Sequence, residues 1–394
     1  MTLTKVDISM YEDVSGANNL VKLDANAKIP AGAATNLTNL PGVIKSSSDP
    51  TISSNKAVGT QWANTTSGEL YVCTDATAGE NVWTNVGAGT GDIKPAAFQG
   101  ETFGYHMGGY YVSGSWTLTN TIQKYSFTTD ANATDVSDLT VGRRFAGGGK
   151  SATHGYAAGG HTEGPVSGNE IDKFSFAAGS NATDVGDLTT PTWCVGQASM
   201  TYNYVTRGGL ASDNRKIEKY AVASDGNASD IANMTFDHSS MHAGCSSATY
   251  GYTGGSQDNN TAGLGKGIDK FAFASDADAT DAGDLTNGRY SSGGNSSETY
   301  GYCTGGYQSG YKNIIDKWPF ASDANATDVG DLLGAIGELG GNNSSSSLTY
   351  GYTAGGYPDT NTIQKHSFTT DGNSTDVANL YNNVINGNAC GTQI

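Results

Sequence analysis

The residues of this chain that could do chemistry recur in an acidic turn, first seen as TTDANATDVSDL at Thr128–Leu139. Carboxylate and amide oxygens at alternating positions are ligands that suit Ca²⁺. The turn lacks the bidentate glutamate of an EF-hand loop, and Asp278 stands where the other copies have Asn. Asn and Asp share a side-chain oxygen that can cap the backbone two residues further on. We therefore interpret the motif as an Asx-turn and predict no metal site.

Other candidates for catalysis are sparse. The histidines show no metal-ligand spacing, and neither a G-x-S-x-G nor an H-E-x-x-H motif occurs. Glutamate is rare, so a glycosidase site with two carboxylates would need aspartate pairs that the sequence does not locate. We predict that the chain is not an enzyme and that it uses no cofactor.

Charge and hydropathy exclude several classes of partner. The net charge of −17 gives no counterion-driven attraction to phosphate, so we expect neither nucleic acid nor an anionic membrane as a partner. No apolar run is long enough to span a bilayer. The start MTLTKVDISMYEDV lacks the basic start and apolar core of a secretory signal peptide. Five widely spaced cysteines favour buried, reduced thiols. We expect synthesis in a cytoplasm, without membrane insertion.

Three markers that stay in phase from Phe103 onward define a repeat. They are a Gly-Tyr pair (once Asn-Tyr), an Ile-x-Lys element and the aspartate of the acidic turn. In order, the six copies of each are Tyr105, Tyr156, Tyr204, Tyr252, Tyr302 and Tyr352; Ile122, Ile171, Ile217, Ile268, Ile315 and Ile363; and Asp135, Asp184, Asp230, Asp281, Asp328 and Asp376. Successive isoleucines are 49, 46, 51, 47 and 48 residues apart. Self-similarity at such a period indicates a repeat architecture.

Each repeat is predicted to contain four short strands. In the second copy they are Gly149–Thr153, Gly155–Ala158, Glu170–Phe176 and Asp184–Leu188. In Ile171–Phe176, Ile, Lys and Ser alternate with Asp, Phe and Phe, which is the period of a strand. No stretch shows a sustained helical period, so we predict an all-β fold. We expect the lysine of each Ile-x-Lys element to pair with the acidic turn of its own repeat.

The strand order, with a Gly-Gly after the aromatic second strand, resembles kelch repeats over about residues 96–394. That resemblance implies a six-bladed β-propeller for residues 95–394. The chain departs from kelch in having Asp-x-x-x-Leu, or a variant, where a fourth-strand Trp is usual. Asn388–Ile394 follows the last repeat, and we expect it to close the ring by entering the first blade in competition with Ala96–Glu101. The alternative, a parallel β-solenoid, has rungs shorter than this period.

The region before the repeats reads as two further parts. Residues 1–45 are predicted to form an extended linker, and VKLDANAKIPAGAATNL within it resembles linkers of bacteriophage tail fibres at Leu23, Asp24 and Lys28–Ala31. Residues 46–94 are predicted to form a small β module with strands at Gln61–Ala63, Glu69–Thr74 and Asn81–Val86. Trp62, Tyr71 and Trp83 would cluster within it. This module also resembles those of phage structural proteins, and residues 87–92 would be a hinge.

The candidate binding residues lie where the repeats differ. The loop between Gly-Gly and Ile-x-Lys varies in every copy, and in a kelch-like blade it shares a face with the connections between blades, which carry Arg143, Arg144 and Arg289. Tyrosine among small polar residues is typical of adaptable recognition surfaces. The alternative is that these aromatic residues only brace their loops. The candidates are Tyr110, Tyr111, Trp116, His161, Trp193, Tyr307, Tyr311 and Tyr357.

The resemblances suggest a bacteriophage virion protein, a tail-fibre-like adhesin. Residues 1–94 would bind other virion or tail proteins, and the propeller loops would bind a host-surface receptor, a glycan or a protein. The fibre resemblance also suggests a homotrimer. The alternatives are a purely structural virion component, such as a decoration or adaptor protein, and a glycan-degrading depolymerase.

Overall fold

A computed structural model describes residues 43–86, 100, 102–112, 116–163, 167–209, 215–238, 240–257, 264–337, 339, 344–358, 361–382, 384–385 and 388–393. Every regular element in these residues is a strand, so the fold is all-β, as predicted. Within the same residues, no helix could cross a membrane. The chain divides into two compact units, Met1–Ala96 and Ala97–Ile394.

The first unit contains one four-stranded sheet. Its strands are β1 (Val43–Ser46), β2 (Gln61–Asn64), β3 (Leu70–Asp75) and β4 (Val82–Asn85). β1 is parallel to β2 and the other pairs are antiparallel. Tyr71 and Trp83 are buried and Trp62 packs against them, which confirms the predicted cluster. β1 begins inside the segment predicted to be an extended linker, whereas residues 1–42 and the predicted hinge at 87–92 lie outside the described part.

The second unit contains six four-stranded sheets and one smaller sheet. In chain order its strands are β5 (Phe103–Met107), β6 (Tyr110–Val112), β7 (Trp116–Leu118), β8 (Thr121–Ser126), β9 (Thr134–Asp138), β10 (Gly147–Lys150), β11 (His154–Ala158), β12 (Glu170–Ser175), β13 (Thr183–Asp187), β14 (Cys194–Ala198), β15 (Tyr202–Arg207), β16 (Lys216–Ala221), β17 (Ser229–Asn233), β18 (Ala243–Ser246), β19 (Tyr250–Gln257), β20 (Leu264–Ala272), β21 (Thr280–Asp284), β22 (Gly293–Ser296), β23 (Tyr300–Thr304), β24 (Lys312–Pro319), β25 (Thr327–Ile336), β26 (Ser344–Ser346), β27 (Tyr350–Ala354), β28 (Thr362–Ser367), β29 (Thr375–Asn379), β30 (Val384–Ile385) and β31 (Asn388–Gln393).

Each repeat supplies one antiparallel sheet. We number them one to six: β31-β5-β8-β9, β10 to β13, β14 to β17, β18 to β21, β22 to β25 and β26 to β29. The predicted pairing of the chain end with the first repeat is confirmed, because β31 occupies the first position of sheet one. Gly100, from the competing segment, instead bridges Ser347 of sheet six. The smaller sheet joins β30 to the hairpin of β6 and β7.

The first strands of the sheets contact one another in a cyclic order. The contacts run from β31 to β10, β14, β18, β22 and β26, and from β26 back to β31. Small residues are required here because the backbones approach closely. A Cβ atom on Gly196 would collide with the carbonyl oxygen of Gly148, and one on Gly294 with that of Gly244.

The hydrophobic core lies between neighbouring sheets. The tyrosine of each Gly-Tyr or Asn-Tyr pair is at most 2% exposed. In all six interfaces its ring packs on an aromatic residue of the next sheet, which is Tyr220 for Tyr156 and a phenylalanine in the other five. Tyr204, for example, stacks on Phe273 with 4.7 Å between ring centroids, and Tyr352 of sheet six packs on Phe127 of sheet one at the same distance. The same pairing also joins Tyr105 to Phe176, Tyr252 to Phe320 and Tyr302 to Phe368.

The strand lysines contact the next sheet, which corrects the predicted pairing within one repeat. Lys173 of sheet two lies 2.8 Å from Asp225, in the acidic turn of sheet three. Lys365 of sheet six contacts Asp130 of sheet one at 2.8 Å. Equivalent pairs are Lys219 with Asp276, Lys270 with Asp323 and Lys317 with Asp371.

One position of the acidic turn, occupied by Asn in five copies and by Asp278 in the fourth, also contacts a neighbouring sheet. The predicted local Asx cap is therefore wrong for the residue at this position. Asn227 Oδ1 accepts a hydrogen bond from the backbone N–H of Asp187, in the fourth strand of the preceding sheet. Asp278 accepts the equivalent bond from Asn233. A carboxylate and an amide both supply the acceptor oxygen, which explains the exchange. The remaining acceptors are Asn132, Asn181, Asn325 and Asn373.

The middle residue of each Ile-x-Lys element forms a third inter-sheet contact, and it is buried. Asp316, for example, accepts hydrogen bonds from Thr286 N–H and Oγ1–H, in the connection that enters its sheet, and pairs with the fully buried Arg289 at 2.8 Å. The equivalent acceptors are Gln123, Asp172, Glu218, Asp269 and Gln364.

Substitution of Asp316 by Asn is expected to lower the free energy of unfolding by about 3 kcal/mol, because Arg289 would keep a buried charge without a counter-charge. The matched control is Asp323→Asn, which removes the half-exposed partner of Lys270 and is expected to cost less than about 1 kcal/mol. Urea unfolding of both variants measures the difference. Equal decreases in the free energy of unfolding would contradict a larger stabilising contribution of the buried ion pair.

Candidate functional site

The loops between second and third strands lie at the same end of the sheets as the connections to the next sheet, and we call this end the loop face. In sheets one, two, five and six the loop begins with a Gly-Gly pair in which both residues have positive φ, for example 63° at Gly159 and 100° at Gly160. Only glycine adopts this conformation without strain. The N–H of Gly160 then donates to the carbonyl of Thr192 in the next connection.

Loops and connections are also joined by backbone bridges. Arg144, in the connection that enters sheet two, exchanges two hydrogen bonds with His161 of that sheet's loop. Tyr290 and Tyr307 form the same bridge in sheet five, and Gly337 and Tyr357 form it in sheet six. The side chains of the loop face are therefore positioned by backbone pairing.

Five residues from three repeats form the first aromatic group, which we call the Trp193 cluster: Tyr110, Arg144, Phe145, His161 and Trp193. The Arg144 guanidinium lies 4.1 Å from the Tyr110 ring centroid and 4.6 Å from that of Phe145. Trp193 packs on Phe145 at 4.8 Å and on His161 at 6.0 Å. Burial, followed by the charge of Arg144, lowers the pKa of His161. His161 is thereby favoured as a neutral hydrogen-bonding group near neutral pH.

Four tyrosines form the second group, which we call the tyrosine run: Tyr290, Tyr307, Tyr311 and Tyr357. Successive ring centroids are 5.5, 5.3 and 5.2 Å apart, so the rings form one continuous series across sheets five and six. All four are half-buried. The Tyr311 ring packs on Gly337, where a Cβ atom would lie only 2.6 Å from Tyr311 Cδ1.

A shallow groove of about 400 Å³ opens on the loop face beside the first two sheets. Its lining combines apolar side chains with amide, hydroxyl and carboxylate groups. Thr162 on its wall directly follows His161 of the Trp193 cluster. The lining residues are Leu118, Asn120, Val141, Gly142, Thr162 and Glu163.

The predicted site residues therefore fall into two groups. Tyr110, His161 and Trp193 belong to the Trp193 cluster, and the three predicted tyrosines of the later sheets belong to the tyrosine run. The side chains of Tyr111 and Trp116 lie outside the described part. Phe145 and Tyr290 were missed, although Tyr290 occupies the same repeat position as Arg144, which the sequence did indicate.

Two arginines expected on this face are not there. Arg143 and Arg289 are fully buried, and each is paired with a buried aspartate of the sheet that its connection enters. Their position is structural, and the residues that follow them, Arg144 and Phe145 after Arg143 and Tyr290 after Arg289, reach the loop face.

The described histidines belong to no group of side chains that could hold a metal ion. In the described residues, no group of three or more His, Cys, Asp or Glu side chains could hold a metal ion. His238 and His242 lie buried with 4.3 Å between ring centroids, and burial followed by the proximity of His238 lowers the pKa of His242 well below its usual value. His366 is also buried, and burial lowers its pKa to about 4. Four cysteines, Cys73, Cys194, Cys245 and Cys303, are buried and unpaired.

No family model matches the chain, and no curated protein matches it.

The buried His366 is expected to make stability depend on pH. The unfolded imidazole has a pKa near 6.5 and the folded one near 4, so the unfolded chain binds the proton more readily. Stability is then lost as pH falls from about 6.5 to about 4, by roughly 3 kcal/mol.

The matched variant is His366→Phe, because Phe174 and Phe271 occupy this position in sheets two and four. It is expected to reduce the pH dependence while leaving stability at pH 8 nearly unchanged. Thermal unfolding between pH 4 and pH 8 gives the comparison, and an unaltered pH dependence in the variant would contradict the assignment to His366.

Proposed function

We propose that residues 100–393 form a closed, six-bladed β-propeller of kelch-like strand order. Contacts between the last and first repeats support closure. Lys365 reaches Asp130, the N–H of Asn379 donates to Asn132, and the N–H of Tyr381 donates to Gln123. The five other neighbouring pairs of sheets have hydrogen bonds equivalent to the last two. A ring also leaves no open edge at the first or last sheet.

The proposed function is adhesion: the loop face binds a receptor on a host-cell surface, as in a tail-fibre-like protein of a bacteriophage virion. The observation that carries the proposal is that half-buried aromatic rings of the variable loops gather into the Trp193 cluster and the tyrosine run. Most of the recurring residues, by contrast, hold sheets together. Variable loops on a rigid scaffold are a common arrangement of binding residues.

A glycan is the receptor chemistry that the loop face fits best. Tyr and Trp provide large contact areas at low conformational cost, and small polar neighbours provide adaptable hydrogen bonds. The groove is lined by the polar side chains of Asn120 and Glu163 and by the apolar side chains of Leu118 and Val141. A neutral sugar presents both an apolar ring face and hydroxyl groups, which such a surface can contact together.

The virion assignment rests on the N-terminal region. The linker-like segment at residues 21–37 and the small β module resemble parts of phage structural proteins. We propose that residues 1–94 attach the chain to other virion or tail proteins, and that it acts there as an oligomer, a homotrimer by the same resemblance. Cryo-electron microscopy of the parent particle tests this directly, since a protein absent from purified particles would contradict it.

Receptor binding is tested with the full chain and purified host-surface polysaccharide. The double variant Tyr307→Ala/Tyr311→Ala is expected to weaken binding at least about tenfold, because it removes two rings of the tyrosine run. The control is Tyr202→Ala, which removes an exposed tyrosine at the opposite end of the sheets. Thermal unfolding shows whether each variant remains folded.

The outcomes separate the candidate functions. Unchanged binding in the double variant would contradict a role of the tyrosine run, and absence of any binding would favour a structural virion component. Release of shortened saccharides during the incubation would favour a depolymerase.

A further inference from the structure

One strand lysine differs from the other five. Gly179 of sheet two stands at the position that Asp225 holds in sheet three, so Lys124 of sheet one faces no aspartate. Among the described residues Lys124 has no carboxylate partner. Its ammonium lies 3.7 Å from the ring centroid of Phe103.

A cleft of about 200 Å³ opens beside Lys124, at the interface of sheets one and two. It lies at the end of the sheets opposite the loop face. Polar and apolar groups both line it: Tyr105, Lys124, Val136, Ser137 and the segment 174–179 that includes Phe174 and Phe176. Gly179 belongs to this wall, and a Cβ atom on it would approach only the carbonyl of Val136, at 3.9 Å.

We propose that this cleft binds a carboxylate that carries a small apolar group. The chain itself provides the comparison, because in the five other interfaces the equivalent lysine contacts an aspartate carboxylate. The site is independent of receptor binding at the loop face. We expect its ligand to carry a single negative charge. Lys124 provides a single positive charge on a protein of net charge −17, which disfavours more highly charged anions.

The contact with Phe103 leaves Lys124 able to bind a carboxylate. Lys317 lies 4.3 Å from the Tyr300 ring centroid and also 2.8 Å from Asp371. An ammonium has three N–H donors, so a ring contact and an ion pair coexist. The side chains of Val136 and Phe176 then offer apolar surface to the rest of the ligand.

Butyrate is the probe, with butanol and butylammonium as uncharged and positively charged controls. We expect butyrate to bind the full chain saturably at one site, and the two control compounds not to bind. Ligand-observed NMR measures the binding. Lys124→Met is expected to weaken it at least about fivefold, since a charge-assisted hydrogen bond is lost. Lys173→Met, which changes a lysine already paired with Asp225, should leave it unchanged.

Two further variants test the repeat comparison. Asp225→Gly removes the internal carboxylate beside Lys173 and is expected to raise the number of butyrate sites from one to two. Gly179→Asp is expected to remove the original site by filling it. N-acetyl-aspartyl amide, titrated alongside, shows whether the cleft also accepts the side chain of an acidic peptide.

The proposal would be overturned by equal butyrate binding in wild-type protein and Lys124→Met. It would also be overturned if only Asp225→Gly bound butyrate, because Phe103 would then occupy the Lys124 cleft. Neither result affects receptor binding, which is measured at the other end of the sheets.

Discussion

One buried hydrogen bond fixes how each sheet meets the one before it. The middle residue of Ile-x-Lys, in the third strand, accepts a backbone N–H from the connection that enters its sheet, or in sheet six from Leu333 in the long fourth strand of sheet five. This bond forms in all six sheets, including that from Tyr381 to Gln123 across the two ends of the chain. A buried acceptor without a donor is unfavourable by about 1–3 kcal/mol, so each connection is held to its sheet.

The loop face depends on this constraint. Asp172 binds Thr140 and the buried Arg143, and the next two residues are Arg144 and Phe145 of the Trp193 cluster. In sheet five, Asp316 holds Arg289, and the next residue is Tyr290, at the start of the tyrosine run. Each aromatic group therefore begins one residue after a buried arginine. The buried arginine of the ion pair and the loop-face residues that follow it are therefore neighbours in the sequence of one connection.

The sequence predicted the second, third and fourth strands of the second repeat to within one residue, because alternation and Gly-Gly mark them directly, whereas the first strand is Gly147–Lys150 and not Gly149–Thr153. Of the three residues in Ile-x-Lys, Ile was correctly predicted to lie in a strand, but the partner of Lys was assigned to the wrong sheet. The reason is physical: in a repeat, a contact within one copy and a contact with the next produce the same sequence pattern. Only the chain ends, as in Lys365 with Asp130, distinguish the two geometries.

The residues of the loop face were predicted only in part for a related reason. Loop residues such as Tyr307 are identified by their variation among the copies. Tyr290 lies in a connection between sheets, and the comparison of the loops does not include it. Its side chain reaches the loop face through the backbone bridge to Tyr307. Backbone hydrogen bonds between a connection and a loop that are distant in sequence leave no local pattern in the sequence.

Two of the six interfaces use an amide as the buried acceptor. Gln123 is the acceptor between sheets six and one and Gln364 is the acceptor between sheets five and six, whereas sheets two to five use carboxylates. A buried carboxylate needs a counter-charge or several donors before its burial is tolerable. A glutamine needs only hydrogen bonds, and Gln123 accepts one from the N–H of Tyr381. An interface between residues more than two hundred positions apart can therefore form without first burying an unpaired charge.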